Sequence, residues 1–345
     1  MKNSQWRLKS RPTGPLALSN FERVEAEVPS PQEGEVLVRS LYFAFEASMR
    51  GWVEDVKTYM NPVQLVDVMI GPSVVQVIES RHEGFEEGDI LLGGAFGWQE
   101  YAVSKCEPTY LGEVRKLPRD TDPKLELGVF GWAGLSAYFG LLDVGGMHQG
   151  DTVLVSAAAG ATGSIAVQLA RIHGAAKVVG LAGGPEKCRW LVEEIGCDAA
   201  VDYKAGDIVA QLKPHFPKGI DLFFDNVGGD ILDTVLLRMA VKGRIVTCGA
   251  IATYDRDNVL SGHGAGLRNF LQVIPRGLTI KGFLVFDYMH RAQEARAEMQ
   301  KWIDRGELKV KIDLVEGFDN IPSGLLRLFS GGNLGKQLVK VADPL

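Results

Sequence analysis

The chain is 345 residues long, 46% hydrophobic and 23% charged, with a mean hydropathy near zero. This profile excludes a disordered, collagen-like or membrane-bundle protein, and at this length two domains of ordinary size are expected rather than one extended core. Lys plus Arg number 37 against 43 Asp plus Glu, a net charge of -6 that argues against nucleic acid or another polyanion as partner.

The opening, MKNSQWRLKSRPTG, has no apolar core of a signal peptide, and no later stretch approaches 18 uncharged apolar residues; the expectation is a cytoplasmic protein with no membrane partner. From residue 1 to about 125 the apolar segments are short and separated by turn residues, as in EVLVRSLYFAF, SVVQVIES and DILLGGAFGWQEYAV, which predicts a compact β-rich domain. From about residue 150 buried-strand runs alternate with helical patterns: DTVLVSAA, GSIAVQLARIHG, AKVVGLAG, EKCRWLVEEIG, AAVDY, DIVAQLKPHF, IDLFFDNV, DILDTVLLRM and GRIVTCGA. That alternation predicts a doubly wound parallel sheet, and the 41 glycines suit its many tight turns. A further strand, LTIKGFLVF, and a charged helix around HRAQEARAEMQKWIDRG follow. The closing segments KVKIDLVEG and KQLVKV return to strand-like alternation and are placed to rejoin the first domain.

The strongest local signal is VLVSAAAGATGSIAVQLA, with Ala157, Gly160 and Gly163 where a buried strand ends and a helix begins. It reads as a dinucleotide-binding fingerprint with Ala in the first glycine position: a tight turn, backbone without bulk, and a helix N-terminus that favours a pyrophosphate. After the next strand an NAD enzyme places an acid on the ribose 2'-hydroxyl, whereas this chain has Gly183, Gly184, Pro185, Glu186 and Lys187. Small residues and a cation favour NADP, although Lys187 read alone is equally a solvated residue at a helix start. Two further turns, DNVGG with Asn226 and CGAIATY from Cys248 to Tyr254, lie at carboxyl ends of expected strands, where open α/β sheets bind ligands. Asn226 and Tyr254 are candidates for hydrogen bonding at the reactive end, against turn or packing roles for each.

The six histidines are isolated, and the four cysteines, Cys106, Cys188, Cys197 and Cys248, form no CxxC pair, so no metal site is expected and the thiols read as reduced and buried. Carbonyl polarisation then has to come from hydrogen-bond donors.

The order of a β-rich domain, GWAGLSAYFGLL, VSAAAGATGS, DNVGG, CGAIATY and GGNLGKQLVKV resembles the zinc-independent medium-chain dehydrogenase/reductases, in the branch of leukotriene B4 12-hydroxydehydrogenase/prostaglandin reductases and curcumin or double-bond reductases. The resemblance implies a GroES-like catalytic domain from residues 1-125 and 306-345, a Rossmann NADP-binding domain from 126-305, and an NADPH-dependent 2-alkenal or enone reductase working without metal. It carries the phosphate turn onto Gly160, Ala161, Thr162 and Gly163, and the 2'-phosphate partners onto Lys187 and Tyr203. Further cofactor contacts fall on Asn226, Cys248, Gly249, Ala250, Ile251 and Tyr254, on the backbone of Phe283, Leu284 and Val285, and on Asn333, beside Gly183 read from the strand end itself. Tyr254 matches a tyrosine assigned near the substrate carbonyl.

The sequence also departs from the family. Where zinc-dependent relatives carry Gly-His-Glu it reads Gly71, Pro72, Ser73, and the segment usually written DPYMR is Glu46, Ala47, Ser48, Met49, Arg50. Ser48 is too small to replace an aromatic wall, Trp132 stands where Met is common, and Trp52 and Tyr59 are candidates to supply the missing surface. The expected reaction is hydride transfer to the β-carbon of an enal or enone, with quinone reduction on the same scaffold as the alternative and a non-catalytic NADPH-binding protein as the third reading. The family also implies a homodimer paired through the edge segment LTIKGFLVF, against a monomer with a covered edge.

Overall fold

A computed structural model describes residues 2-254 and 266-345; His263 of the sequence reading lies outside them. In the β-rich part, β1 (Lys2–Leu8) and β2 (Phe21–Glu27) form an antiparallel ribbon. The long strand β3 (Val36–Ala44) pairs antiparallel with β4 (Ser73–Ser80), and β5 (Ile90–Gly93), β6 (Tyr101–Ser104) and β7 (Arg115–Leu117) complete this side. The run DILLGGAFGWQEYAV is thus two strands, because the glycines and the buried ring of Trp98 turn the chain between them.

The Rossmann part holds β8 (Thr152–Val155), β9 (Lys177–Ala182), β10 (Ala199–Asp202), β11 (Ile220–Asp225), β12 (Met239–Thr247) and β13 (Thr279–Gly282). All pair in parallel in the order β10-β9-β8-β11-β12-β13. The order reverses between β8 and β11, opening a crevice at the carboxyl ends of these two strands. Their apolar side chains are buried, Val153, Leu154, Val155, Leu222, Phe223 and Phe224 all fully, as expected of strands covered by helices on both faces.

The tail returns to the first sheet as anticipated. β14 (Ile312–Glu316) pairs in parallel with β15 (Lys336–Lys340), which lies antiparallel beside β3. The crossings between the parts are sharp: Leu127 packs into the β-rich core and Val129 into the Rossmann core, while Leu308 belongs to the Rossmann core and Ile312 packs on the β-rich one. Backbone bonds also tie the parts together, with Gly335 N donating to Ala159 O at 2.8 Å.

Three local expectations need correction. LTIKGFLVF is a strand only over Thr279–Gly282; beyond it Phe283 turns inward against Gly140, where any Cβ would lie 2.7 Å from its ring, and Val285–Arg291 forms a 3₁₀ helix. EKCRWLVEEIG is helical over Pro185–Trp190 and widens to a π-type turn over Leu191–Ile195. Of the four thiols only Cys197 is buried, and Cys106, Cys188 and Cys248 are half-buried. Cys106 and Cys248 lie just beyond the ends of β6 and β12 and Cys188 on the helix Pro185–Trp190, so none of the three is inside a core strand.

Candidate active site

The principal cavity, about 600 Å³, runs between the two parts along the carboxyl edge of the parallel sheet. At one end it is shaped by backbone. After β8 the chain reverses through Ala157, whose φ of +46° is left-handed, a conformation that an L residue adopts at a cost of about 1 kcal/mol. The Ala in the first position of the fingerprint therefore takes a glycine-like conformation. Gly163 is obligatory, since a Cβ there would lie 2.3 Å from Ala157 O. The helix Ala161–Ile172 starts at this turn, and its first internal bond is from Ser164 N to Gly160 O at 3.0 Å. The amides of Ala161, Thr162 and Gly163 precede that bond and remain available to an anion, with the helix dipole behind them.

At the end of β9, Gly183 leaves the space that the Tyr203 hydroxyl occupies, 2.7 Å from where a Cβ would stand. Asp202, an acid close to this point, already accepts from Gly184 N and Lys204 N, both at 2.9 Å. These two bonds hold its carboxyl below the usual range. Lys187 donates to Gly331 O at 2.8 Å and Asn333 O at 2.6 Å, both on the loop before β15. Burial, then the Lys204 charge, push its ammonium below the ordinary lysine value; the two ammonium groups supply the charge-assisted donors that a phosphate takes. The Asn333 side chain donates to Gly335 O at 2.9 Å, so it braces this loop.

At the switch point, buried Asp225 accepts from Ser156 Oγ at 2.7 Å and from Gly228 N at 3.0 Å. Burial pushes its carboxyl up against the lowering effect of those bonds. Asn226 is clamped by Ser156, its Nδ2 donating to Ser156 O at 2.8 Å, which leaves its Oδ1 to accept from a ligand. Cys248, Gly249, Ile251 and Tyr254 follow β12 along the same wall, and burial pushes the Cys248 thiol up to about 12. Ala250 does not line the cavity; its N–H donates to the Tyr254 hydroxyl at 3.2 Å. Burial raises the Tyr254 phenol above its ordinary value, which keeps it protonated and able to donate.

The far end is a wall of rings. Trp52 donates its indole N–H to the Tyr59 hydroxyl at 2.7 Å, Trp52 lies edge-on to Trp132 with centroids 6.5 Å apart, and Trp132 meets Phe286 at 5.2 Å. Ser48 sits beside them, and Glu46, paired with Lys336 Nζ at 2.5 Å, forms part of the same floor. Every site residue named from the sequence lines this one cavity except Ala250. Sequence reasoning missed Phe286, Lys336 and the segment Leu328–Gly331. An aromatic four residues after Gly282 and a lysine ending GGNLGK carried no spacing rule that would have singled them out. Gly71 to Ser73 lie outside the cavity, and among the described residues no three His, Cys, Asp or Glu side chains gather in a metal-holding group.

Residues 4–110 match the model of an N-terminal domain of oxidoreductase and residues 161–305 that of a zinc-binding dehydrogenase. An NADPH-dependent curcumin reductase of Escherichia coli (strain K12) is 36% identical over 342 residues, covering 99% of this chain and 97% of that protein. The chain belongs to the zinc-independent medium-chain dehydrogenase/reductases. Prostaglandin reductase 1 of Bos taurus is 39% identical over 339 residues, 97% of this chain and 98% of that one. Among solved structures of medium-chain dehydrogenase/reductases, CurA from Vibrio vulnificus in complex with NADPH aligns with a TM-score of 0.91 at 37% identity, over 99% of this chain and 100% of that one. A quinone oxidoreductase of Pseudomonas syringae pv. Tomato DC3000, 20% identical with a TM-score of 0.74 over 98% of this chain and 99% of that one, shares the fold.

Proposed function

We propose that the protein is an NADPH-dependent reductase of the carbon–carbon double bond of α,β-unsaturated aldehydes and ketones. The observation that carries this reading is one continuous cavity with an anion cradle and a lysine ammonium at one end and a protonated, half-buried phenol among aromatic rings at the other. The similarity to curcumin and prostaglandin reductases supports it over quinone reduction, for which the likeness at 20% identity extends to fold alone.

The cavity fits NADPH on its own features: the amides of Ala161 to Gly163 for the pyrophosphate, and Lys187 and Tyr203 beside a glycine-bordered space for the 2'-phosphate. Asn226 Oδ1, the turn from Cys248 to Ile251 and the backbone of Phe283, Leu284 and Val285 would hold the nicotinamide half. When bound, NADPH supplies a hydride for the β-carbon of the substrate. Tyr254 would donate a hydrogen bond to the substrate oxygen, where negative charge develops as an enolate forms, Ala250 N–H fixes the phenol for that task, and a proton from solvent completes the α-carbon and discharges the enolate. Trp52, Tyr59, Trp132 and Phe286 exclude water and give an extended or aryl substrate a flat surface.

We further propose domain limits close to 126 and 306, supported by the core crossings at 127–129 and 308–312. A homodimer through the β13 edge is supported by its four exposed residues and by the exposed side chains of Phe270, Leu271, Ile274 and Ile280 around it. The cytoplasm is the proposed compartment, supported by four cysteines that are free thiols, as in a reducing environment. The experiment is NADPH oxidation with enals, aryl enones and quinones side by side, with NADH as control and products identified. Saturated ketone formed from an enone supports the proposal; turnover of quinones alone overturns it.

A further inference from the structure

Tyr59 sits on the irregular chain that follows the helix Met49–Trp52 of the β-rich part and reaches over the cavity to Phe286 of the Rossmann part, with ring centroids 6.0 Å apart. Its hydroxyl accepts the indole N–H of Trp52 at 2.7 Å. Trp52 is 1% exposed, and an indole nitrogen can only donate, so this bond has one possible direction. The phenolic hydrogen of Tyr59 must then point away from Trp52, and no group among the described residues accepts it. Tyr254 repeats the pattern: its oxygen accepts from Ala250 N at 3.2 Å and its own hydrogen has no acceptor among the described residues. Tyr59 and Tyr254 line the same cavity. Of the two carboxylates that line this cavity, Glu46 is paired with Lys336 and Asp230 with Arg268, and among the described residues no hydrogen bond joins either to a tyrosine hydroxyl.

We infer that Tyr59 is a second hydrogen-bond donor to the carbonyl oxygen of the substrate, acting beside Tyr254, and that Trp52 is the positioning residue that orients it. The inference deepens the enone-reductase reading and rests on it. Two fixed donors converging on one developing oxyanion stabilise it more than either alone, because neither has to reorganise as charge appears. Tyr59 donates a hydrogen bond throughout and loses no proton. The consequence for specificity is that both donors select substrates whose double bond is conjugated to a carbonyl, while the Tyr59 ring remains part of the aromatic wall.

The test uses the full chain saturated with NADP+, which cannot give a hydride, and 4-(dimethylamino)cinnamaldehyde, an enal whose absorption moves to the red when its carbonyl accepts hydrogen bonds. Wild type should red-shift the probe; Tyr59→Phe and Tyr254→Phe should each retain roughly half of the shift, and the double variant almost none. In turnover, Tyr59→Phe should lower kcat on an enone about 10-fold with NADPH affinity unchanged. Trp52→Phe, with the phenol present but unoriented, should lower kcat about 3-fold while leaving KM nearly unchanged, a split that a general loss of packing would not produce. Tyr59→Phe keeps the ring, so a full red shift and full kcat in that variant, with a loss only in Tyr59→Leu, overturns the donor role and leaves the enone-reductase reading standing. A red shift lost stepwise in the variants without any enone turnover supports the donor pair and overturns the reductase reading. Failure of wild type to shift the probe overturns both.

Discussion

The two ends of the cavity are built in different ways. The phosphate end is made mostly of backbone from one contiguous segment, Ala157 to Gly163, where a Cβ on Gly163 would stand 2.3 Å from Ala157 O. The substrate end is made of side chains brought from Trp52, Tyr59, Trp132, Tyr254 and Phe286, which are far apart in the chain. A backbone site tolerates almost no substitution, because every added atom meets a fixed peptide; a side-chain site is open to change, because its rings can be exchanged one at a time. Glu46, Ala47, Ser48 and Trp132, which depart from the family pattern, all line the cavity, and Ser48 and Trp132 fall at the second end.

Four substitutions and one titration sharpen this contrast, in descending order of effect. Gly163→Ala should cost on the order of 3 kcal/mol of stability and weaken NADPH by more than about 100-fold; denaturant unfolding and fluorescence titration would read both, and near-normal binding would break the claim that backbone packing defines this end. Tyr254→Phe should lower enone turnover by about 100-fold with the Kd of NADPH nearly unchanged, and undiminished kcat in stopped-flow assays would remove Tyr254 from the reaction. Lys187→Gln should weaken NADPH roughly 10- to 50-fold and NADH hardly at all, so an equal loss for both cofactors would return Lys187 to a purely structural role.

The pH dependence of NADPH binding follows from the same lysine. Its ammonium titrates below the ordinary lysine value, burial being the main cause, and only the charged form attracts the 2'-phosphate. NADPH affinity should therefore be full at neutral pH and fall several-fold as pH rises through that depressed range, with NADH showing no such fall. Calorimetry across alkaline pH would check it, and Lys187→Gln should flatten the profile. The smallest effect is expected for Phe286→Leu, a change of about 2- to 5-fold in KM for an aryl enone with kcat retained; a large loss of kcat would mean that this ring does more than line the wall.

These expectations also mark how far the sequence could be read. The βα alternation, the return of the tail to the first sheet and the turns at Asn226 and Cys248 were legible, because strand period and glycine placement are local properties of the chain. Phe286 was not, since its place depends on the end of β13 at Gly282 and on the room that Gly140 leaves for Phe283. The Trp52 to Tyr59 bond is close in sequence, yet nothing in GWVEDVKTY announces it: an irregular stretch folds back only because Trp52 is buried by the rest of the β-rich core.

By itself the sequence determined the α/β alternation and the anion-binding turn, because strand and helix periods and glycine placement are local, and the small residues before Lys187 favoured a cofactor with a 2'-phosphate. Only the tertiary structure decided which side chains face the substrate and that Lys187 also fastens the loop at Gly331 and Asn333. The physical reason is range: turn conformation and helix-end charge act over one or two turns of chain, whereas a pocket wall exists only after both cores have packed and their exposed edges have met.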